Sequence, residues 1–321
     1  MDEKQMTTPR EQDTNLAEPT QPTIDSDDRR ISRYIRDFLG RCGLLYAGRS
    51  DFSELQSACI AKSIARGYIT PENDSFRRLI PVGVAVVWNA YHHLPDQQTQ
   101  EYLALLISFF VGAEDVFKNN NDAILAFNGL FIRRQPQKHP MLDHLADLLL
   151  DVPSQFPTAA VNMMITSALN FMTAVCLEND FIGFNPAPTA PHYPAFIRRM
   201  SGFSELLGFF VFTPDVPLEI SLPVLPDLMT FLCYANDVLS FYKEELANEE
   251  ENLVYTLARC RRVHPSDALR EVIEDAVAAH HRVLETLKPH SVAFDCYKQF
   301  SQGYIGFHVA SKRYRLDELQ G

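Results

Sequence analysis

An all-α fold follows from three features of the 321-residue sequence. Apolar residues recur at three- and four-residue steps through most of the chain, the spacing of one helix face. Alternating apolar and polar runs and Asn-Gly hairpin signals, the marks of strands, are largely missing. Pro and Gly cluster between the periodic segments, as in "GFNPAPTAPHYP" and "TPDVPLEISLP", and punctuate them. No repeat period and no linker divides the chain, so a single domain of roughly ten or more helices is expected.

The elements follow in order. Residues 1–28 are rich in Thr, Pro, Gln, Asp and Glu, and read as a disordered tail. Residues 29–321 read as the folded domain. Its first helical text is "RRISRYIRDFLGRCG", followed by "SELQSACIAKSIARGY", "LIPVGVAVVWNAYHHL" and "QEYLALLISFFVGAEDVF". Then come "LDHLADLLLDV", "TAAVNMMITSALNFMTAVCLE" and "PAFIRRMSGFSELLGFFV". The last four are "LPVLPDLMTFLCYANDVLSFYKEEL", "NLVYTLARCRRV", "SDALREVIEDAVAAHHRVLETL" and "VAFDCYKQFSQGYIGFHVASKRYRL". Several are apolar nearly all round, which places them inside with other helices wrapped around them.

Charge narrows the function. A net charge of −12 disfavours general nucleic-acid binding, because phosphate contacts need concentrated Lys and Arg. An anionic ligand would need a local basic cluster or metal ions. The six cysteines form no CxxC pair and sit in apolar text, as expected of buried free thiols in a reducing compartment. The polar start "MDEKQMTTPREQ" carries no signal peptide. The best membrane candidate, "YLALLISFFVGA", is too short to span. The chain therefore reads as cytosolic.

One helix carries a polar pattern that its apolar context does not require. In "NDVLSFYKEE", Asn236, Ser240 and Glu244 are each four residues apart. Successive helical residues turn about 100°, so the three form one oxygen-bearing face about 12 Å long. An amide, a hydroxyl and a carboxylate are hard ligands that suit Mg²⁺. Lys243 can lean toward the same mouth and meet a phosphate. The competing reading is a solvated face, with Ser240 bonding back to the Asn236 carbonyl. Two other stretches bear on the choice. "SKRYRLDEL" offers Arg313 and Tyr314 as phosphate donors, or a solvated basic helix end. "EDVFKNNND" offers Glu114 and Asp115 as further metal ligands, or a polar helix terminus. His92–His93 and His280–His281 read as surface pairs.

Together these stretches are similar to class I terpene cyclases. "NDVLSFYKEE" resembles their (N/D)Dxx(S/T)xx(K/R)E motif, in the form of the fungal trichodiene synthase family. "HYPAFIRRMSG" and "KRYRLDEL" resemble the family's flanking segments, in the same order and spacing from roughly residue 30 to 320. The resemblance implies a helical bundle around a central apolar cavity. It implies that Asn236, Ser240 and Glu244 chelate Mg²⁺, with three ions in all. Lys243, Arg198, Arg313 and Tyr314 would bind the diphosphate. The family's DDxx(x)D motif is matched only by "EDVFKN", so either Glu114 or Asp115 takes the first acidic role.

The activity so implied is a sesquiterpene cyclase that ionises farnesyl diphosphate to an allylic cation. A humulene-type product, formed by 1,11-closure and proton loss, is one outcome within that class. Aromatic faces stabilise such a cation, and Trp88, Phe109, Phe110 and Phe171, with Tyr91 and Tyr234, are the expected wall. Each has ordinary core packing as its alternative. Two rivals share the fold: a chain-elongating prenyltransferase, which normally carries two Asp-rich motifs, and an inactive helical relative. A homodimer is common among relatives; the sequence itself is silent on it.

Overall fold

The computed structural model describes residues 26–44, 51–117 and 121–319, with side chains described for 29–44, 51–113 and 122–319. These residues form thirteen α-helices and no strand. The first six are α1 (Ser26–Cys42), α2 (Ser53–Ala65), α3 (Ile80–Ala90), α4 (Gln97–Phe117), α5 (Asn121–Ile132) and α6 (Pro140–Leu150). The middle four are α7 (Thr158–Asp180), α8 (Tyr193–Ser201), α9 (Ser204–Phe209) and α10 (Leu218–Ala247). The last three are α11 (Leu253–Arg261), α12 (Pro265–Leu287) and α13 (Ser291–Ala310), followed by 3₁₀ turns at Lys312–Tyr314 and Leu316–Leu319. Most of the expected tail lies outside the described residues; α1 begins at Ser26, just inside it.

Two helices depart from the expected pattern. α5 was not anticipated, because "NDAILAFNGLFI" follows directly on the polar text that closes α4. The segment "PAFIRRMSGFSELLGFFV" is two helices, not one. The break falls at Gly202 and Phe203, where Phe203 adopts the left-handed region at φ +33°. A non-Gly residue there costs roughly 1–2 kcal/mol, so the surrounding packing enforces the bend. Gly202 is part of that packing: a Cβ on it would stand 2.5 Å from Cys233 Sγ on α10.

α10 is the axis of the bundle. It packs along α12 and touches α8, α9, α11 and α13. Leu228, Phe231, Leu232, Ala235, Val238 and Leu239 are buried along it. Pro223 and Pro226 lie inside its N-terminal part, where each removes a backbone donor. It stops at Asn248, which is left-handed at φ +54° and returns its N–H to the last turn. That stop leaves Lys243 and Glu244 at the helix end. α7 and α10, rather than the apolar part of α4, are long and apolar enough to cross a bilayer. Both contribute many buried residues to the bundle core.

The other helices close the bundle. α3 packs tightly on α4 and on α13. The approach is so close that a Cβ on Gly303 would lie 1.9 Å from the Asn89 carbonyl oxygen. His280 of α12 is buried, not a surface residue. Its Nε2 lies 3.2 Å from the Cys42 carbonyl and its Nδ1 2.8 Å from Tyr297 Oη. A carbonyl only accepts, so Nε2 carries the proton and Nδ1 accepts from the tyrosine. This one ring ties α1, α12 and α13 together. All six cysteines are buried and free.

Candidate functional site

The oxygen-bearing face of α10 opens on a cavity of about 690 Å³. Its inner walls are apolar and come from six directions. They include Val82 and Val86 of α3, Ile107 and Val111 of α4, Val175 of α7, Leu207 of α9, Leu232 of α10, and Phe307 of α13. Phe203, at the α8–α9 break, and Tyr304 of α13 add aromatic faces. The mouth is polar and includes Arg198, Asn236, Ser240, Lys243, Glu244, Arg313 and Tyr314. Residues more than a hundred positions apart thus converge on one opening, with an apolar interior behind it.

Ser240 is 3% exposed, and its Oγ has no hydrogen-bond partner. The back-bond to the Asn236 carbonyl that a solvated face would carry is therefore not formed. A buried hydroxyl left unpaired costs about 1–3 kcal/mol, and this one lines the cavity. Glu244 is held in place from two sides. Its Oε1 accepts from Lys243 Nζ at 3.1 Å, and its Oε2 from Asn252 Nδ2 at 3.0 Å. Asn252 is itself fixed as the N-cap of α11 through Tyr255 N–H. A carboxylate in the last turn of a helix opposes the macrodipole, which favours cations there. Glu244 and Glu245 both break that rule, and no basic residue occupies the last turn.

Asn236 is held by two partners. Its Oδ1 accepts from Arg198 Nη2 at 3.2 Å, and its Nδ2 lies 3.0 Å from His308 Nε2. Arg198 also donates through Nε to both carboxylate oxygens of Asp237, each at 2.9 Å. Burial pushes the Asp237 carboxyl up to about 6 against the pull of Arg198. The pairing holds the arginine charge at the mouth, and Nη2 also donates to the Cys233 carbonyl at 3.4 Å. Burial lowers the His308 imidazole to about 4. Glu178 of α7 also lines the mouth, and burial raises its carboxyl despite Arg198 nearby.

The six aromatics expected as the wall pack behind the cavity or away from it. Phe109 is fully buried and stacks on Phe76 at 3.9 Å, away from the cavity. Phe110 and Phe171 pack on each other and on Phe203, so they back the wall without lining it. Trp88 sits edge-on to His92, and neither it, Tyr91 nor Tyr234 lines the cavity. The aromatics that do are Phe203, Tyr304, Phe307 and Tyr314. Tyr304 and Phe307 stand three apart in "QGYIGFHVA", the one spacing that could have indicated them. Asp237 and His308 were also missed, although Asp237 is the second letter of the motif. Glu114 and Asp115 fall in the last turn of α4, with side chains outside the described residues. Among the described residues no three His, Cys, Asp or Glu side chains group to hold a metal. The oxygen donors of α10 are mainly an amide and a hydroxyl.

Comparison with known proteins extends the geometry. The model of the family described as Trichodiene synthase (TRI5) matches residues 74–321. Alpha-cuprenene synthase COP6 of Coprinopsis cinerea is 31% identical over 291 residues, covering 90% of each chain. Terpene synthase BipA of Cochliobolus sativus is 30% identical over 258 residues, covering 78% of each. Among solved structures, hedycaryol synthase in complex with nerolidol aligns at a TM-score of 0.61 and 15% identity. It covers 84% of this chain and 97% of its own. The linalool/nerolidol synthase of Streptomyces clavuligerus in complex with 2-fluorogeranyl diphosphate aligns at 0.57 and 13% identity, over 87% and 98%. These two likenesses bear on the fold alone.

Proposed function

The chain belongs to the trichodiene synthase family, and from that premise we propose that this terpene synthase ionises farnesyl diphosphate with Mg²⁺ and cyclises the resulting cation. The observation that carries the reading is Ser240 Oγ, buried and unpaired between two held oxygen donors at the mouth of an apolar cavity. Hard oxygen donors in that arrangement fit Mg²⁺ shared with phosphate oxygens. Asn236, Ser240 and Glu244 would hold one ion, and Glu114 or Asp115 would be a further ligand. When bound, the ions act as Lewis acids on the leaving diphosphate.

The chain's own residues do the rest. Arg198, Lys243, Arg313 and Tyr314 direct N–H and O–H groups at the mouth, where the departing charge develops. The C–O bond breaks with its electron pair on the diphosphate, leaving an allylic cation in the cavity. Val82, Val86, Ile107, Val111 and Leu232 exclude water from it. The faces of Phe203, Phe307 and Tyr304 stabilise its charge. The electrons of a distal double bond then close the ring, and proton loss gives a hydrocarbon. A volume of about 690 Å³ lies within the roughly 300–1,000 Å³ of small-molecule sites and accommodates a folded fifteen-carbon chain.

Gas chromatography of an extract after incubation with farnesyl diphosphate and Mg²⁺ tests the proposal. A cyclic fifteen-carbon hydrocarbon is expected, abolished by EDTA and restored by Mg²⁺. Full turnover in EDTA, or chain elongation on adding isopentenyl diphosphate, contradicts it.

A further inference from the structure

We infer that His308 fixes the orientation of the Asn236 carboxamide, turning its oxygen toward the mouth, and so acts as a positioning residue for that site. The inference rests on the reading of the α10 face proposed above. Its basis is the hydrogen-bond chain through the ring. His308 Nδ1 lies 2.7 Å from the Tyr304 carbonyl oxygen, which only accepts. Nδ1 therefore carries the proton, and Nε2 is left with a lone pair. That lone pair accepts from Asn236 Nδ2 at 3.0 Å. With its NH₂ group tied to His308, the amide presents Oδ1 on its other side, where Arg198 Nη2 donates at 3.2 Å. A flipped amide would set oxygen against the imidazole lone pair and N–H against the guanidinium, two repulsions in place of two bonds.

The ring has little freedom to choose otherwise. His308 is 1% exposed and lies 4.6 Å, centroid to centroid, from both Tyr304 and Tyr314. It thereby couples three cavity-lining groups: the α10 amide, the α13 aromatic wall and the terminal tyrosine. Both nitrogens are engaged, so no lone pair remains to accept a proton from substrate. His308 acts on the chemistry through Asn236, whose amide oxygen it leaves on the Arg198 side, as the hard donor the proposed site requires.

Two variants and one measurement on the unaltered protein test this. His308→Gln keeps an acceptor near Nε2, whereas His308→Leu removes it at similar volume. Binding of inorganic diphosphate is followed by calorimetry across a Mg²⁺ titration, with thermal melting as the control for folding. The leucine variant should bind about tenfold or more weakly and need more Mg²⁺, the cost typical of losing a group that orients a ligand. The glutamine variant should stay near wild type. Leucine binding as tightly as wild type, or both variants weakened equally, would overturn the inference. Should the leucine variant fail to fold, ¹⁵N NMR of wild-type histidines decides: Nδ1 protonated and Nε2 bare supports it, and the reverse overturns it. A folded wild type that binds no diphosphate with Mg²⁺ contradicts the functional reading instead, and the NMR result still decides the hydrogen-bond geometry.

Discussion

At the scale of single residues, the α10 face is distinguished by what it leaves unpaired. Glu244 and Glu245 are neighbours in sequence, yet their surroundings differ. Glu244 lines the cavity mouth, while Glu245 is half-buried on another face beside Tyr255, whose hydroxyl is raised above its usual pKa range chiefly by burial and further by the Glu245 carboxylate. Ser240→Ala removes only a neutral donor that water can replace. It should lower turnover by a modest factor while raising thermal stability slightly, because the orphaned hydroxyl costs about 1–3 kcal/mol in the metal-free protein. Thermal melting without Mg²⁺ checks the second half; a lower melting temperature would show that Ser240 has a protein partner after all. The His280 ring makes a separate prediction. Its folded pKa is lowered to about 4, chiefly by burial, so the unfolded chain takes up its proton first. Stability is then unaffected above pH 6.5 and falls as pH drops from there toward 4, by up to about 1.4 kcal/mol per pH unit for this one group. Denaturant midpoints at pH 7 and pH 5 should therefore diverge less in His280→Gln than in wild type; equal divergence would remove His280 as a cause.

At the scale of elements, helix periodicity was legible because it is local: each segment states its own buried face. What was not legible depends on partners far along the chain. The bend at Gly202–Phe203 interrupts no apolar spacing, and only the nearness of Cys233 on another helix reveals it. Which rings face the cavity depends on how each helix is rotated against its neighbours. Phe109 and Phe110 are adjacent, yet one stacks on Phe76 and the other on Phe203. His280 looked like a surface residue because its carbonyl partner is 238 positions away. Close helix approach gives a test at this scale. Gly303→Ala would place a Cβ 1.9 Å from the Asn89 carbonyl oxygen, which is backbone and cannot swing aside. α13 must then move from α3, at a cost of about 1–3 kcal/mol or more. Since Tyr304 and Phe307 ride on α13, product distribution should change along with the melting temperature. An unchanged melting temperature would mean the two helices do not approach this closely.

For the whole molecule, the bundle separates two environments that the proposed reaction needs at once. Charge is gathered at one opening from α8, α10 and the terminal turn, while α3, α4, α7 and α13 supply apolar walls behind it. In a chain with a net charge of −12, Arg198, Lys243, Arg313 and Tyr314 come together at this opening, interleaved with Glu178, Glu244, Glu249, Glu250 and Glu251. The sequence indicated that cluster because its members sit in short motifs whose order survives folding. It could not indicate the hydrogen bonds that hold it, such as Asn252 on Glu244 or His308 on Asn236. In the proposed reaction the oxygen face of α10 serves a divalent ion rather than solvent. Turnover of farnesyl diphosphate as a function of Mg²⁺ concentration, compared between Glu244→Gln and Glu245→Gln, tests it most directly. Gln keeps the size and hydrogen bonding of Glu and removes its charge. Glu244→Gln should lose about 10²-fold in turnover and need more Mg²⁺ to reach half its maximum, while Glu245→Gln stays close to wild type. Loss at Glu245 with a silent Glu244 would contradict it.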